Sequence, residues 1–569
     1  MATVENRLAR RARPLPDLWS RGTAWTRENW LLAGAIAAGV IARLVFWIVT
    51  DRRIDDSLIT IKHAKNVADG VGLLHNLGDG HVHGFTSALS VLVPLPGEFL
   101  AADGGFFLIR AVSVVAFVVT AVYADRICRR LGLGRWATGF LLLFLALDQN
   151  QVFFGMAGME SQIAVAVLFV GIYYVLVEDF TKSGIALGLA PLARPDFILW
   201  VGPAYLFLVL RSRPRALRAA LISVAVVAPW VIFTTIYYGS PVPNTIVAKS
   251  SVFGPALPGV SDVSGWINFL GDRLHDHRGD WRAIAPFYEK ALVEKAPLPH
   301  GLLKLVAWVV LALAAVGVAA NWRRRALWAA IAYVLLFIAY KFVFLTIAFF
   351  DWYGVPAAAL IMLFAAAGLD RVAKWSAGVL RPRIGLRSAY FAAVPAVCLA
   401  IAYSVQLPFA IPIEARVQHD IEDRVRLPLG KYLGRVIPEG QSFTSESSGY
   451  VGYYTNGTLY DFPGLVSKTV LERFDEYGAK SWPETTSLFR ARSPQLVIQL
   501  LRPDWLVLRP SEWMTLKNLF PEAAREYRPV RRFAVATGDV FFESGGLVVR
   551  NIDADFTVFR HGRPTNDNE

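Results

Sequence analysis

Repeated apolar runs of close to twenty residues constrain this chain more than any other feature. A helix rises about 1.5 Å per residue, so roughly twenty residues cross the ~30 Å hydrocarbon core of a bilayer. Trp30 to Thr50 is the first such run, and others follow as far as about residue 408. The composition agrees. Of 569 residues, 55% are hydrophobic and 18% charged, with a mean hydropathy of +0.42. Soluble chains of this size carry more charge. The expected fold is a polytopic α-helical membrane protein with an appended soluble part.

Basic residues orient it. The chain has 58 Lys and Arg against 45 Asp and Glu, a net charge of +13. Most of that excess sits in short loops between apolar runs, the positive-inside pattern, so nucleic acid is excluded as a partner. Arg7, Arg10, Arg11, Arg13, Arg21 and Arg27 place the N-terminus in the cytoplasm, ahead of an uncleaved first helix. Residues 51–104 then form a first external loop. The run 85–101 contains Pro94 and Pro96. If it spanned, Arg126, Arg129, Arg130 and Arg135 would lie outside, so it is read as non-spanning. Further helices are expected near 105–124, 136–150, 160–178, 183–194, 196–210, 216–238, 301–320, 326–346, 353–370 and 388–408. About eleven helices result, with a second large external loop at 239–300 and the C-terminus outside.

Two domains are expected: 1–409 in the membrane and 410–569 as an extracytoplasmic α/β domain. After about 410 charge becomes dense and apolar runs shorten to strand length, at 496–501, 505–508, 533–536, 540–542 and 547–549. Helical stretches at 466–477 and 511–519 lie between them. Cys128 and Cys398 have no plausible partner, so no disulfide framework is expected.

The external loops hold the residues with chemical potential. Asp55 and Asp56 follow the first helix by a few residues, near headgroup depth. Neighbouring side chains diverge, so one carboxylate suits a general base while the other binds a cation, a hydroxyl or a backbone N–H. Asp-Asp-Ser before an apolar-periodic run is equally a helix cap. Residues 57–68 read as an amphipathic helix on the membrane surface, with Leu58, Ile61 and Ala64 on one face and Lys62, Lys65 and Asn66 turned away. His81 and His83 form a His-x-His pair, a candidate metal pair that lacks a third ligand fixed by spacing; a hydrogen-bonding or solvated role is the alternative. Glu160 opens a helix on the outer side, and Arg194-Pro195-Asp196 sits at an outer junction. Arg194 either binds a phosphate with its fork or pairs with Asp196 or Glu160. Asn244 and Lys249, in a proline-stiffened loop, could address a sugar or phosphate. Trp352 and Tyr353 read as interfacial anchors or as ring faces for a sugar. No P-loop or dinucleotide-binding glycine motif is present. A sugar-transferring enzyme with its site on this face would need a donor carried on lipid.

These motifs together resemble a family. Asp55-Asp56-Ser-Leu-Ile-Thr-Ile-Lys62-His63-Ala-Lys65-Asn66, then Gly70-Val-Gly72 and Gly84-Phe-Thr86-Ser87, resemble the first external loop of actinobacterial GT-C glycosyltransferases. The nearest group is the terminal arabinofuranosyltransferase (AftB-like) family. Its members read Asp-Asp-Ala-x-Ile-Thr-x-Arg-Tyr-Ala-Arg-Asn, then Gly-x-Gly, then Glu-Gly-Tyr-Thr-Ser. Gly158-Met159-Glu160-Ser161 is similar to their Gly-Leu-Glu-Thr, and Ala193-Arg194-Pro195-Asp196 to Thr-Arg-Pro-Glu/Asp. Tyr237-Tyr238-Gly239 through Pro243-Asn244-Thr245 and Ala248-Lys249 is similar to their Tyr-Tyr-Gly-x-x-x-Pro-Asn-Thr-x-x-Ala-Lys. Ser448–Tyr454 and Asp461–Ser467 resemble segments of their soluble domain. Lys62 and Lys65 stand where the family has Arg, His63 where it has Tyr, and His83 where it has Glu.

The resemblance implies a GT-C fold and an inverting transfer of a sugar, arabinofuranose first, from a polyprenyl-phosphate donor to a cell-wall polysaccharide or glycolipid. Asp55 would be the base and Asp56 its partner or a cation ligand. Lys62, Lys65, Glu160, Arg194, Asn244 and Lys249 are the candidates for holding donor phosphate or substrate. No cofactor is required, though a divalent cation is a further candidate at the phosphate. The expected location is the plasma membrane, multi-pass, among membrane lipids. A mannosyl or other hexosyl transferase of this fold, a lipid-linked glycan flippase without chemistry, and a membrane-anchored assembly protein are the rival readings.

Overall fold

The computed structural model describes residues 29–254, 257–276, 300–344, 351–384, 390–482, 487–535, 541–544, 547–550 and 552–562. The N-terminal arginines, Arg387 and much of the second external loop lie outside these.

The first helix spans Trp30–Thr50, the length of the first apolar run. Its one charge, Arg43, is buried. The guanidinium donates to the carbonyls of Gly39, Leu145 and Ala146 and to Gln162 Oε1 at 2.7 Å. A cation at membrane depth is tolerable when such acceptors surround it. Gly104–Leu131 stops at Gly132 and Arg213–Tyr238 at Gly239, each glycine in the left-handed conformation that ends helices. Among the described residues five helices are long and apolar enough to cross a membrane. Arg135–Leu147 with Gln149–Met156 makes a sixth candidate, bent by 40°. Ser161–Leu176, Leu305–Asn321 and Arg325–Tyr340 are shorter and apolar. Residues 85–101 contain only the short helices Leu89–Leu92 and Leu95–Leu100. At 1.5 Å per residue Leu89–Leu100 reaches roughly 18 Å, less than a bilayer core.

The chain's C-terminal part carries a five-stranded mixed sheet. Its strands are β1 (Ser442–Ser445), β2 (Thr458–Asp461), β3 (Trp505–Leu508), β4 (Tyr527–Ala534) and β7 (Asp555–His561), in the order β2-β1-β3-β7-β4. A separate hairpin joins β5 (Phe541–Ser544) to β6 (Leu547–Arg550). β1 lies parallel to β2 and β3, whereas β7 runs antiparallel to β3 and β4. One face buries Val470, Phe474, Leu496, Ile498 and Leu516. The other buries Val425, Leu429 and Leu433 from the preceding helical segment, and also Ile59 from the first loop. The sheet unit therefore sits on the first external loop.

Two expectations need correction. Residues 496–501 were expected as a strand, but Pro494–Leu501 is a helix. Ser493 accepts from the Leu496 amide and Pro494 occupies the first turn, a strong start signal that outweighs the apolar run. The helix Asp55–Ala68 exists, but its polar face is not open to water as expected. It is covered on both sides, so Lys62 and Asn66 are buried along with Leu58, Ile61 and Ala64.

Candidate functional site

The Asp55–Ala68 helix begins at an extended N-cap, Ile54, with no side-chain cap. Asp55 and Asp56 occupy its first turn, where carboxylates meet the positive end of the helix dipole. The Ile54 amide donates to Ala157 O at 3.1 Å. Gly158, at φ +93°, lies so close that a Cβ there would stand 2.8 Å from Ser57 Oγ. Glu160 follows two residues on, and both it and Asp56 line the same cleft.

Asp56 lines a cleft with Glu160, Arg194, Asp196, Lys249, Trp352 and Tyr353. Thr86, Ser87 and Thr245 add hydroxyls, and Leu465 from the sheet unit closes one side. The cleft opens to solvent and has a cavity volume of ≈ 50 Å³. Burial pushes the Asp56 carboxyl up to about 6; Lys249 pulls against this, and Asp55 adds to it. Burial works against the Lys249 ammonium, but Tyr353 and Asp56 outweigh it and hold its pKa above the usual lysine value. Lys249 Nζ donates to Tyr353 Oη at 3.0 Å.

Arg194 stands at the end of Phe180–Ala193 in extended backbone. Its Nε donates to Asp196 Oδ1 at 2.9 Å, and its Nη1 donates to Trp352 O at 3.3 Å and lies 3.8 Å from Glu160 Oε1. The guanidinium carbon sits 4.8 Å from the Tyr353 ring centroid. Nη2 is buried and has no acceptor among the described residues. A buried, unmet donor is costly, and Arg194 is itself part of the cleft lining. The cleft thus pairs a carboxylate poised to take a proton with two cations suited to phosphate.

The other sequence candidates lie elsewhere. Both Asp55 oxygens accept backbone N–H groups, from Gly449 at 2.9 Å and Tyr450 at 3.0 Å, and Asp55 does not line the cleft. Lys62 donates to the carbonyls of Tyr453 and Thr455, and burial lowers its pKa to about 7. Lys65 pairs with Asp69 one turn along. Asn244 Nδ2 donates to Gly464 O at 2.8 Å and Leu465 O at 3.0 Å, so it braces the loop that brings Leu465 to the cleft. His81 stacks on Tyr237 at 4.1 Å and His83 on Tyr238 at 4.7 Å. Each ring has its own partner, and among the described residues no group of three or more His, Cys, Asp or Glu could hold a metal ion. Thr86, Ser87 and Thr245 were not singled out as site residues, although they sit inside the quoted motifs. Leu465 lies in the Asp461–Ser467 segment, but its place at the cleft depends on contacts between distant parts of the chain, such as Asn244 with Gly464 and Leu465.

Comparison with solved structures decides the fold. ArnT from Cupriavidus metallidurans bound to undecaprenyl phosphate superposes with a TM-score of 0.50 and 11% identity, covering 93% of this chain and 98% of that one. Its apo form gives 0.50 and 12%, with 95% and 99% covered. The chain has a GT-C-type fold. The archaeal oligosaccharyltransferase AglB from Archaeoglobus fulgidus, in complex with an inhibitory peptide and a dolichol-phosphate, gives a TM-score of 0.45 at 11% identity, with 91% of this chain and 75% of that chain covered. Residues 415–559 match a family described as a domain of unknown function, DUF8728. No curated protein matches the chain by sequence. The chain is thus a multi-pass membrane protein with a GT-C-like fold and a small C-terminal sheet unit.

Proposed function

We propose that this protein is a membrane glycosyltransferase that moves a sugar from a polyprenyl-phosphate donor to a hydroxyl of an extracytoplasmic glycan. One observation carries the reading: half-buried Asp56 shares a cleft with Arg194 and Lys249, and Arg194 keeps an Nη2 donor unmet among the described residues. The GT-C fold and the undecaprenyl phosphate bound to ArnT support a lipid phosphate as the anion.

Asp56 accepts the proton of the acceptor hydroxyl as its oxygen attacks the anomeric carbon. The bond from that carbon to the phosphate oxygen breaks, and the polyprenyl phosphate leaves with the bonding electrons. The configuration inverts. Arg194 and Lys249 stabilise the charge that grows on the departing phosphate. Trp352 and Tyr353 supply ring faces for the sugar, and Glu160 and Asp196 keep Arg194 in place. No step is assigned to a metal ion, because Glu160 and Asp196, the other carboxylates lining the cleft, are already engaged with Arg194. The base is Asp56 rather than Asp55. Membrane orientation follows the basic loops, with the cleft on the outer face of the plasma membrane.

Arabinofuranose is the proposed sugar and a cell-wall polysaccharide or glycolipid the proposed acceptor, on the strength of the first-loop motifs. A panel of polyprenyl-phosphate sugars, including the arabinofuranosyl and mannosyl forms, tests this with purified enzyme and a hydroxyl-bearing glycan. Transfer from the arabinofuranosyl donor, lost in Asp56→Asn, is the expected result. Undiminished transfer by Asp56→Asn would remove the proposed base.

A further inference from the structure

We propose that the two adjacent carboxylates divide the work: Asp56 faces the substrate, while Asp55 is a positioning residue that fastens the sheet unit to the first-loop helix and so holds Asp56 in the cleft. This rests on Asp56 being the base.

Three observations carry it. First, Asp55 is wholly engaged with the sheet unit. Its Oδ2 accepts the Gly449 amide at 2.9 Å and its Oδ1 the Tyr450 amide at 3.0 Å. Arg426 Nη1 lies 3.6 Å from Oδ1, and Arg426 is itself held by Glu422 at 3.2 Å and Asp553 at 3.1 Å. Charge-assisted hydrogen bonds of this kind are stronger than neutral ones and fix geometry.

Second, the backbones touch. A Cβ on Gly449 would stand 2.0 Å from the Asp55 carbonyl oxygen. Only glycine permits that approach, and any side chain there would wedge the sheet unit off the helix.

Third, the helix is held equally firmly on its other side. Ile54 is hydrogen-bonded to Ala157 at 3.1 Å, and Gly158 packs within 2.8 Å of Ser57 Oγ when a Cβ is built on it. Successive residues point about 100° apart around a helix, so rotation decides which carboxylate enters the cleft. The Gly449 contact and the Gly158 contact together allow one rotation. Losing the Asp55 contact leaves the sheet side held only further along the helix, by Lys62 on Tyr453 and Thr455 and by Ile59, so its first turn loosens and Asp56 loses its position relative to Arg194 and Lys249. A misplacement of about 1 Å costs on the order of 100-fold in rate.

The test uses full-length protein in lipid nanodiscs. Asp55→Asn, Gly449→Ala and Asp56→Asn are compared by amide hydrogen exchange, by undecaprenyl phosphate binding and by turnover of decaprenyl-phosphate arabinofuranose across pH. In Asp55→Asn, exchange at residues 449–453 should rise about tenfold or more. Its kcat should fall about 10- to 100-fold with the donor KM nearly unchanged. The acid limb of kcat should also move to lower pH, because a negative charge beside Asp56 is gone and Arg426 is released. Gly449→Ala should lower kcat without moving that limb to lower pH, since it removes no negative charge beside Asp56. Retained undecaprenyl phosphate binding shows that both variants fold. Unchanged exchange at 449–453 in Asp55→Asn overturns the clamp, and so does an unmoved acid limb. If Asp56→Asn keeps its activity, the base assignment falls instead, and the exchange data still judge the clamp separately.

Discussion

At the scale of single residues, the site turns on which of two neighbouring acids faces the substrate. Asp56→Asn is expected to lower kcat by about 10²- to 10⁴-fold, the usual worth of a general base, measured as initial rates at saturating donor. The pH profile carries a second expectation. Burial raises the Asp56 pKa to about 6, and a base must be deprotonated, so kcat should fall as pH drops below about 6. An acid limb near pH 4, the ordinary carboxylate range, would argue against Asp56. Arg194→Lys keeps the charge but loses the fork that reaches Asp196, Trp352 and the unmet Nη2 position together. It should raise the donor KM about tenfold or more, read from donor titrations. The sequence pointed to this carboxylate pair and to Glu160, Arg194 and Lys249, because acids and bases at outer helix ends are conspicuous in an apolar chain. The resemblance made Asp55 the base; the proposal moves that role to Asp56, because Asp55 accepts the Gly449 amide across a separation of 394 residues.

At the scale of elements, periodicity was a good guide to where helices lie and a poor guide to what covers them. Lys62 and Asn66 read as the wet face of a surface helix. In the fold, Lys62 donates to Tyr453 and Thr455 carbonyls, and Asn66 to those of Leu74 and His75. Polar side chains that meet backbone carbonyls inside a joint look, in sequence, like solvated ones. The same joint buries His63, His75 and His83, with His63 and His75 rings 5.6 Å apart and Lys62 beside them. Burial lowers His75 to about 3 and His83 to about 4, and it holds His63 well below the usual value. These depressed values mean the folded state prefers neutral rings. Their contribution is complete above the unfolded pKa of about 6.5 and is lost as pH falls towards 4 and 3. Thermal unfolding in detergent should therefore show a melting temperature that drops between pH 7 and pH 4. His75→Gln, which cannot gain that proton, should show a smaller drop.

At the scale of the whole molecule, the sheet unit acts as one wall of the site. The division into membrane helices and a charged C-terminal part was readable from composition, because a bilayer and water select such different residues. The joint between them was not, since it is built from contacts between segments hundreds of residues apart. Arg52 bridges to Glu414 at 3.1 Å and Glu422 at 2.9 Å. Asn76 Nδ2 donates to Leu459 O and Val466 O. Asn244 donates to Gly464 O and Leu465 O, in a loop where the buried Asp461 carboxylate accepts four successive amides, from Gly464 to Ser467. That loop is stiff, so it moves with the sheet as a body. Removing the Asn244 side chain deletes two hydrogen bonds, each worth about 0.5–1.5 kcal/mol net, at the one place where the loop touches the cleft. Arg194 and Lys249, the proposed phosphate ligands, keep their contacts to Asp196, Trp352 and Tyr353. Asn244→Ala should therefore lower kcat several-fold and leave the donor KM almost unchanged. Lys517→Ala, on the far side of the sheet unit, should change neither. Steady-state kinetics on the two variants separates a wall that shapes the site from a domain that merely accompanies it: equal kcat values in both would mean that the sheet contributes nothing to turnover through this loop.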